Sequence, residues 1–139
     1  MPVNPKDIVV RLHTDVLDTG DLAPIDELIH PDYVNHEAAP GTPGGRAGFR
    51  HTVTFLRSGF SDLRFAIDDM VAEADRVVLR CRFEGTHDGA FLGIPPTGRR
   101  VSIPHMHMYR VEDEMVAEHW ACRDDVAGFR QLGATPPGP

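Results

Sequence analysis

The feature that most constrains this chain is a change of hydrophobic period at Phe60. Upstream, Ile8, Val9, Leu12, Val16 and Leu17 recur at helical spacing, in a segment opened by Asn4 or Pro5, with Asp7 in its first turn and Gly20 at its end. Asp21 can cap a second short helix over residues 23–29, and Pro31 then forces extended chain into Tyr33-Val34-Asn35-His36. A Gly- and Pro-rich loop over residues 39–45 precedes a third helix carrying Phe49, Val53, Phe55 and Leu56, ending near Gly59. Downstream the period is two: Leu63, Phe65 and Ile67 alternate with Arg64, Ala66 and Asp68, and Val77, Leu79, Cys81 and Phe83 alternate with Val78, Arg80, Arg82 and Glu84. Helices first and half-buried strands afterwards specify an α+β domain, with helices packed on one face of a curved antiparallel sheet that can wrap a cavity.

The chemistry concentrates in the last hairpin. Residues 101–111 and 115–123 read as its two strands, with turn chemistry at Glu112-Asp113-Glu114-Met115. A two-residue turn pairs Val111 with Val116, Tyr109 with Glu118, His107 with Trp120 and His105 with Cys122, and alternation puts these pairs on one face, with Asp124 extending the row. In this register His119 faces the other side and reads as a structural or surface residue. A last helical piece, residues 125–132, closes the domain.

Composition removes several function classes. At 139 residues and 15.4 kDa the chain fits one domain, residues 1–133, with a tail over residues 134–139 that has little to bury and reads as disordered. A formal net charge of −7 and scattered arginines argue against a nucleic-acid partner. No segment has membrane-spanning length, and the first twenty residues lack the pattern of a secretory signal, so a cytoplasmic protein is expected. Cys81 and Cys122 lack metal-type spacing and read as buried thiols.

The run Gly85-Thr86-His87-Asp88-Gly89-Ala90-Phe91-Leu92-Gly93-Ile94-Pro95-Pro96-Thr97-Gly98-Arg99, followed by the hairpin and by Asp124 to Gln131-Leu132-Gly133, resembles the SnoaL-like polyketide cyclases from about Tyr33 to Gly133. The resemblance implies the cone-shaped NTF2-like fold: three N-terminal helices on a strongly curved antiparallel or mixed sheet enclosing an apolar pocket, assembled as a homodimer or homotetramer. It also implies ring closure of an aromatic polyketide methyl ester by intramolecular aldol condensation, with no metal and no organic cofactor. Through the frame from Glu118-His119-Trp120 to Gln131-Leu132-Gly133, Asp124 matches the general acid/base aspartate, with Asp125 next in line. His105 and His107 resemble the histidine pair of true cyclases, and Asn35-His36 matches a step that faces the pocket in relatives.

The chemistry fits these residues on physical grounds. An aldol closure removes a proton from a carbon flanked by carbonyl groups and returns one to the alkoxide formed at the attacked carbonyl. A carboxyl group in an apolar pocket has its pKa raised from about 4 toward working pH and can serve both steps. In this reading Asp124 moves the proton, His107 donates to the enolate oxygen or holds Asp124, and His105 stands in for it. Trp120 offers a flat wall for a polycyclic substrate, with Asn35 and His36 as further substrate contacts.

Rival readings stay open. Asp124 at a helix start is also a plain N-cap, the histidines are also hydrogen-bonding residues of the sheet, and Trp120 is also core. His-x-His with Glu112 and His119 imitates a cupin metal set, but Glu112 falls on the opposite face and the N-terminal helices do not suit a jelly roll, so no metal is expected. Epoxide hydrolysis or isomerisation can use a pocket carboxylate in the same fold, and a non-catalytic small-molecule binder can use the same pocket.

Overall fold

In the computed structural model, residues 3–135 are described. Asn4 caps the first helix, α1 (Pro5–Arg11), by accepting a hydrogen bond from the Lys6 N–H at 3.0 Å, and Pro5 occupies the first turn, where no N–H is needed. The helix runs on without a break into a π-helical turn, Leu12–Leu17, in which the Asp18 N–H reaches back five residues to the His13 carbonyl. Ile8, Val9, Leu12 and Val16 are buried from this rod into the core. A short α2 (Ile25–Leu28) leads directly into β1 (Ile29–Asn35), and α3 (Gly45–Gly59) follows the loop. The expected three helices before the sheet are therefore interrupted by a strand, which starts ahead of Pro31 rather than after it.

The remaining strands are β2 (Arg64–Glu73), β3 (Arg76–Thr86), β4 (Arg100–Glu112) and β5 (Met115–Arg123), and α4 (Asp125–Gln131) ends the fold. They form one mixed five-stranded sheet in the order β1-β5-β4-β3-β2, antiparallel except for the parallel β1/β5 pair. Leu79, Cys81 and Phe83 of β3 and Phe65 of β2 face the helices, with Phe60 and Leu63 filling the junction. Cys81 is buried on this inner side while Cys122 is exposed, so the two thiols lie on opposite faces of the sheet and both are free; the expectation of two buried thiols holds only for Cys81. Burial raises the Cys81 thiol to about 12, which keeps it out of nucleophilic chemistry. Among the described residues no helix is long and apolar enough to cross a membrane. The expected disordered tail falls outside the described residues from position 136 onward, and Ala134 is tied to the Phe129 carbonyl at 2.9 Å.

The hairpin register corrects the sequence reading. Asp113 and Glu114 both adopt left-handed backbone (φ 53° and 61°), the requirement of a two-residue I′ turn, and Val111 pairs with Val116 as expected. One step later Arg110 pairs with Glu118, leaving Ala117 as an extra, unpaired residue in β5. Such a bulge shifts every later side chain to the other face. Tyr109 therefore pairs with His119, Met108 with Trp120, His107 with Ala121 and His105 with Arg123.

The loop between β3 and β4 folds back over α3. Gly89 lies so close to the Ser58 carbonyl that a Cβ there would sit 1.8 Å from its oxygen, and the loop is pinned by the Asp88 and Gly89 N–H groups on the Gly59 carbonyl. This contact lays the Phe91 ring against Phe55 and Phe60. Gly89→Ala is therefore expected to displace the loop and cost about 1–3 kcal/mol, a fall in Tm on the order of 3–10 °C. Thermal unfolding followed by circular dichroism checks it, and an unchanged Tm would mean that the close approach is dispensable.

Candidate active site

The concave face of the sheet and the helices enclose a cavity of about 570 Å³, within the size range of small-molecule sites. Its walls are aromatic and aliphatic: Phe49, Phe55 and Leu56 from α3, Phe60, Phe65 and Phe83 from the core, Phe91 from the loop. Its floor is polar and comes from adjacent strands: His105, His107 and Tyr109 from β4, His119 from β5, Asn35 from the end of β1. The bulge at Ala117 puts His119 beside Tyr109, and the parallel β1/β5 register puts Asn35 beside His119.

These groups form a continuous hydrogen-bonded chain. His105 Nδ1 lies 3.1 Å from His107 Nε2, His107 Nδ1 lies 2.8 Å from His119 Nε2, and His119 Nδ1 lies 2.8 Å from Asn35 Oδ1. A second pair lies alongside, His13 Nε2 and the Tyr109 hydroxyl at 2.9 Å, placed by the π-helical turn of the first helix. Burial dominates the titration of all four imidazoles. It lowers His105 to about 3, His107 to about 4 and His13 to about 3, and holds His119 well below the ordinary imidazole value. The floor is thus a row of neutral imidazoles. Desolvation also pushes the Tyr109 phenol well up, so it remains a hydroxyl and a donor.

The residues expected from sequence divide sharply. His105, His107 and Asn35 line the cavity. Trp120 does not: the bulge turns it to the outer face, where it stacks on His36 with ring centroids 4.8 Å apart and carries the Arg76 guanidinium over its other reach. His36 is likewise outside, exposed and paired with Glu118 at 2.9 Å. The expectation that both contact substrate in the pocket is corrected on this geometry. Asp124, expected in the cavity, lies outside it: it is exposed, borders an outer depression together with His105 and Arg123, and accepts the Ala127 N–H at 3.0 Å as the N-cap of α4. Asp125 reaches the cavity's mouth but is exposed and pairs with Arg123 at 3.4 Å.

His119 is the residue that sequence reasoning set aside and the structure brings in. The sequence holds only a weak trace of it, the adjacent apolar pair Val116-Ala117, which the structure buries together as a bulge permits. Glu112 belongs to no site with the cavity histidines. It meets His30 at 3.4 Å beside Asp113 at the exposed hairpin tip, and these three are the only group of metal-ligand type drawn together among the described residues.

The sequence profile of the SnoaL-like polyketide cyclases matches residues 7–132. The chain belongs to the SnoaL-like polyketide cyclase family. It is 30% identical over 135 residues to the aklanonic acid methyl ester cyclase DnrD of Streptomyces peucetius, covering 94% of this chain and 92% of that protein. Identity to the nogalonic acid methyl ester cyclase of Streptomyces nogalater is 32% over 117 residues, 83% of this chain and 87% of that one. The crystal structure of IdmH from Streptomyces antibioticus superposes with a TM-score of 0.82 at 36% identity, covering 95% of this chain and all of the other. This SnoaL-like chain is therefore an enzyme of the polyketide cyclase class, on the NTF2-like α+β fold expected from its sequence.

The buried imidazoles of this cyclase carry a consequence for stability. Each binds a proton more readily in the unfolded chain, near pH 6.5, than in the folded one, so the unfolded state takes up protons first as pH falls. Folding stability is expected to decline from pH 6.5 through about 4, where His107 protonates in the fold, toward about 3, where His105 and His13 do. Urea midpoints measured at several pH values check this, and a midpoint that rises on acidification contradicts neutral burial.

Proposed function

We propose that this chain closes a ring of an aromatic polyketide methyl ester by intramolecular aldol condensation, with an imidazole of the cavity floor as general base and acid. The observation that carries this reading is the chain of neutral histidines at the base of a largely apolar cavity, in a relative of methyl ester cyclases. The reaction needs one proton taken from a carbon between carbonyl groups, a carbon–carbon bond formed to a second carbonyl, and one proton returned to the resulting alkoxide. Nothing in that sequence consumes a cofactor.

The cavity supports each step. Its aromatic walls hold a flat substrate with its reacting ends together, which lowers the entropic part of the barrier. Burial keeps the imidazole in its base form, and the anionic enolate formed beside it supplies the counter-charge that stabilises the imidazolium. With His13 donating from Nε2–H to the Tyr109 oxygen, the Tyr109 hydroxyl proton is free to go to an oxygen where negative charge develops. In this reading Asp124 holds the start of α4, and the proton moves on a floor imidazole instead.

With a polycyclic polyketide methyl ester as substrate, His105→Gln is expected to lower kcat about 10²-fold or more, the scale of a lost acid/base group. Asp124→Asn, whose side chain also caps helices, should keep turnover near that of the parent. Product formation followed by chromatography decides. Loss of turnover in Asp124→Asn with His105→Gln still active would reverse the assignment.

A further inference from the structure

The direction of the histidine chain can be read from one backbone amide. Asn35 Oδ1 lies 3.0 Å from the Glu37 N–H as well as 2.8 Å from His119 Nδ1. A backbone N–H only donates, so the Asn35 atom facing it is the carbonyl oxygen and not the amide nitrogen. That oxygen can only accept, so His119 carries its proton on Nδ1. Neutral His119 then presents a lone pair at Nε2, and His107 must donate to it from Nδ1. By the same step His107 Nε2 is a lone pair, and His105 donates to it from Nδ1. One nitrogen remains: His105 Nε2, a lone pair with no hydrogen-bond partner among the described residues, on a ring that lines the cavity.

We infer that Asn35 is a positioning residue which, through His119 and His107, fixes the tautomer of His105 and makes His105 Nε2 the proton-accepting end of a one-way histidine chain. His105 Nε2 is the single ring nitrogen in the row that can take a proton without reversing a hydrogen bond. Protonation at His119 Nε2 or His107 Nε2 would set two N–H groups against each other. Uptake at His105 Nε2 leaves all three bonds intact, and the charge can spread by passing the Nδ1 protons along toward the Asn35 carbonyl. In the proposed aldol closure the substrate C–H bond breaks, its proton goes to His105 Nε2, and its electron pair forms the carbon–carbon bond. The alkoxide then takes the proton back from the same nitrogen, so the enzyme ends as it began. Without Asn35 each ring is free to adopt the opposite tautomer, which would turn an N–H toward the substrate and leave no base.

The inference deepens the proposed cyclase reading, but its primary test does not depend on any substrate. Protein labelled with ¹⁵N at histidine, observed by long-range ¹H–¹⁵N correlation at neutral pH, reports which ring nitrogen carries the proton. The expected result is Nδ1–H for His105, His107 and His119 in the parent. Asn35→Leu should release at least one of the three to Nε2–H and lower kcat roughly tenfold or more with a smaller change in KM. Asn35→Asp, which keeps an acceptor at the same place, should retain all three Nδ1–H tautomers and guards against a leucine variant that fails to fold. An Nε2–H tautomer at His119 in the parent, or unchanged tautomers in a folded Asn35→Leu, overturns the inference. Nδ1–H tautomers in a protein that converts no polyketide ester would instead overturn the cyclase reading and leave the chain's direction standing.

Discussion

Three imidazoles held out of water have to satisfy one another, and that requirement organises the interior of this protein. An unpaired buried polar group costs on the order of 1–3 kcal/mol, a cost that His107 and His119 avoid because each of their ring nitrogens has a partner. The pairing in turn fixes the sheet. β1 must end beside β5 so that Asn35 meets His119, and β5 must carry a bulge so that His119 meets His107. The aromatic walls do the complementary work: by excluding water they keep the imidazoles neutral and make every hydrogen bond on the floor stronger than it would be in solvent.

Much of the architecture was legible because periodicity and turn chemistry are local signals. The switch from helical to alternating spacing at Phe60 placed α3 and the strands, and Gly, Pro and Asp punctuation placed the loops and the hairpin tip. The family frame supplied the fold. What failed was parity. A single extra residue, Ala117, carries no strong signal of its own, yet it exchanged the faces of His119 and Trp120. Everything built on the unbulged register moved with it. Trp120 became an outer-face residue stacked on His36, and His119 became the centre of the site.

Asp124 illustrates a different limit. A carboxylate at the start of a helix is drawn to the unsatisfied N–H groups of the first turn, and here that local bond with Ala127 holds it at the surface. A position in a motif frame does not reveal whether a side chain turns inward to a cavity or stays with its own backbone. His105 and His107, whose shared face follows from strand alternation within β4 alone, both line the cavity because no bulge intervenes between them.

In the proposed mechanism substrate meets its acid and base on the floor of the cavity, and not on the outer face of the sheet. A crystal structure with a polycyclic diketone bound tests this most directly. The ligand is expected between the Phe60, Phe65 and Phe91 rings, with an oxygen or its acidic carbon within hydrogen-bonding reach of His105 Nε2. A ligand seated instead against Asp124 or Trp120, with His105 out of reach, would contradict it.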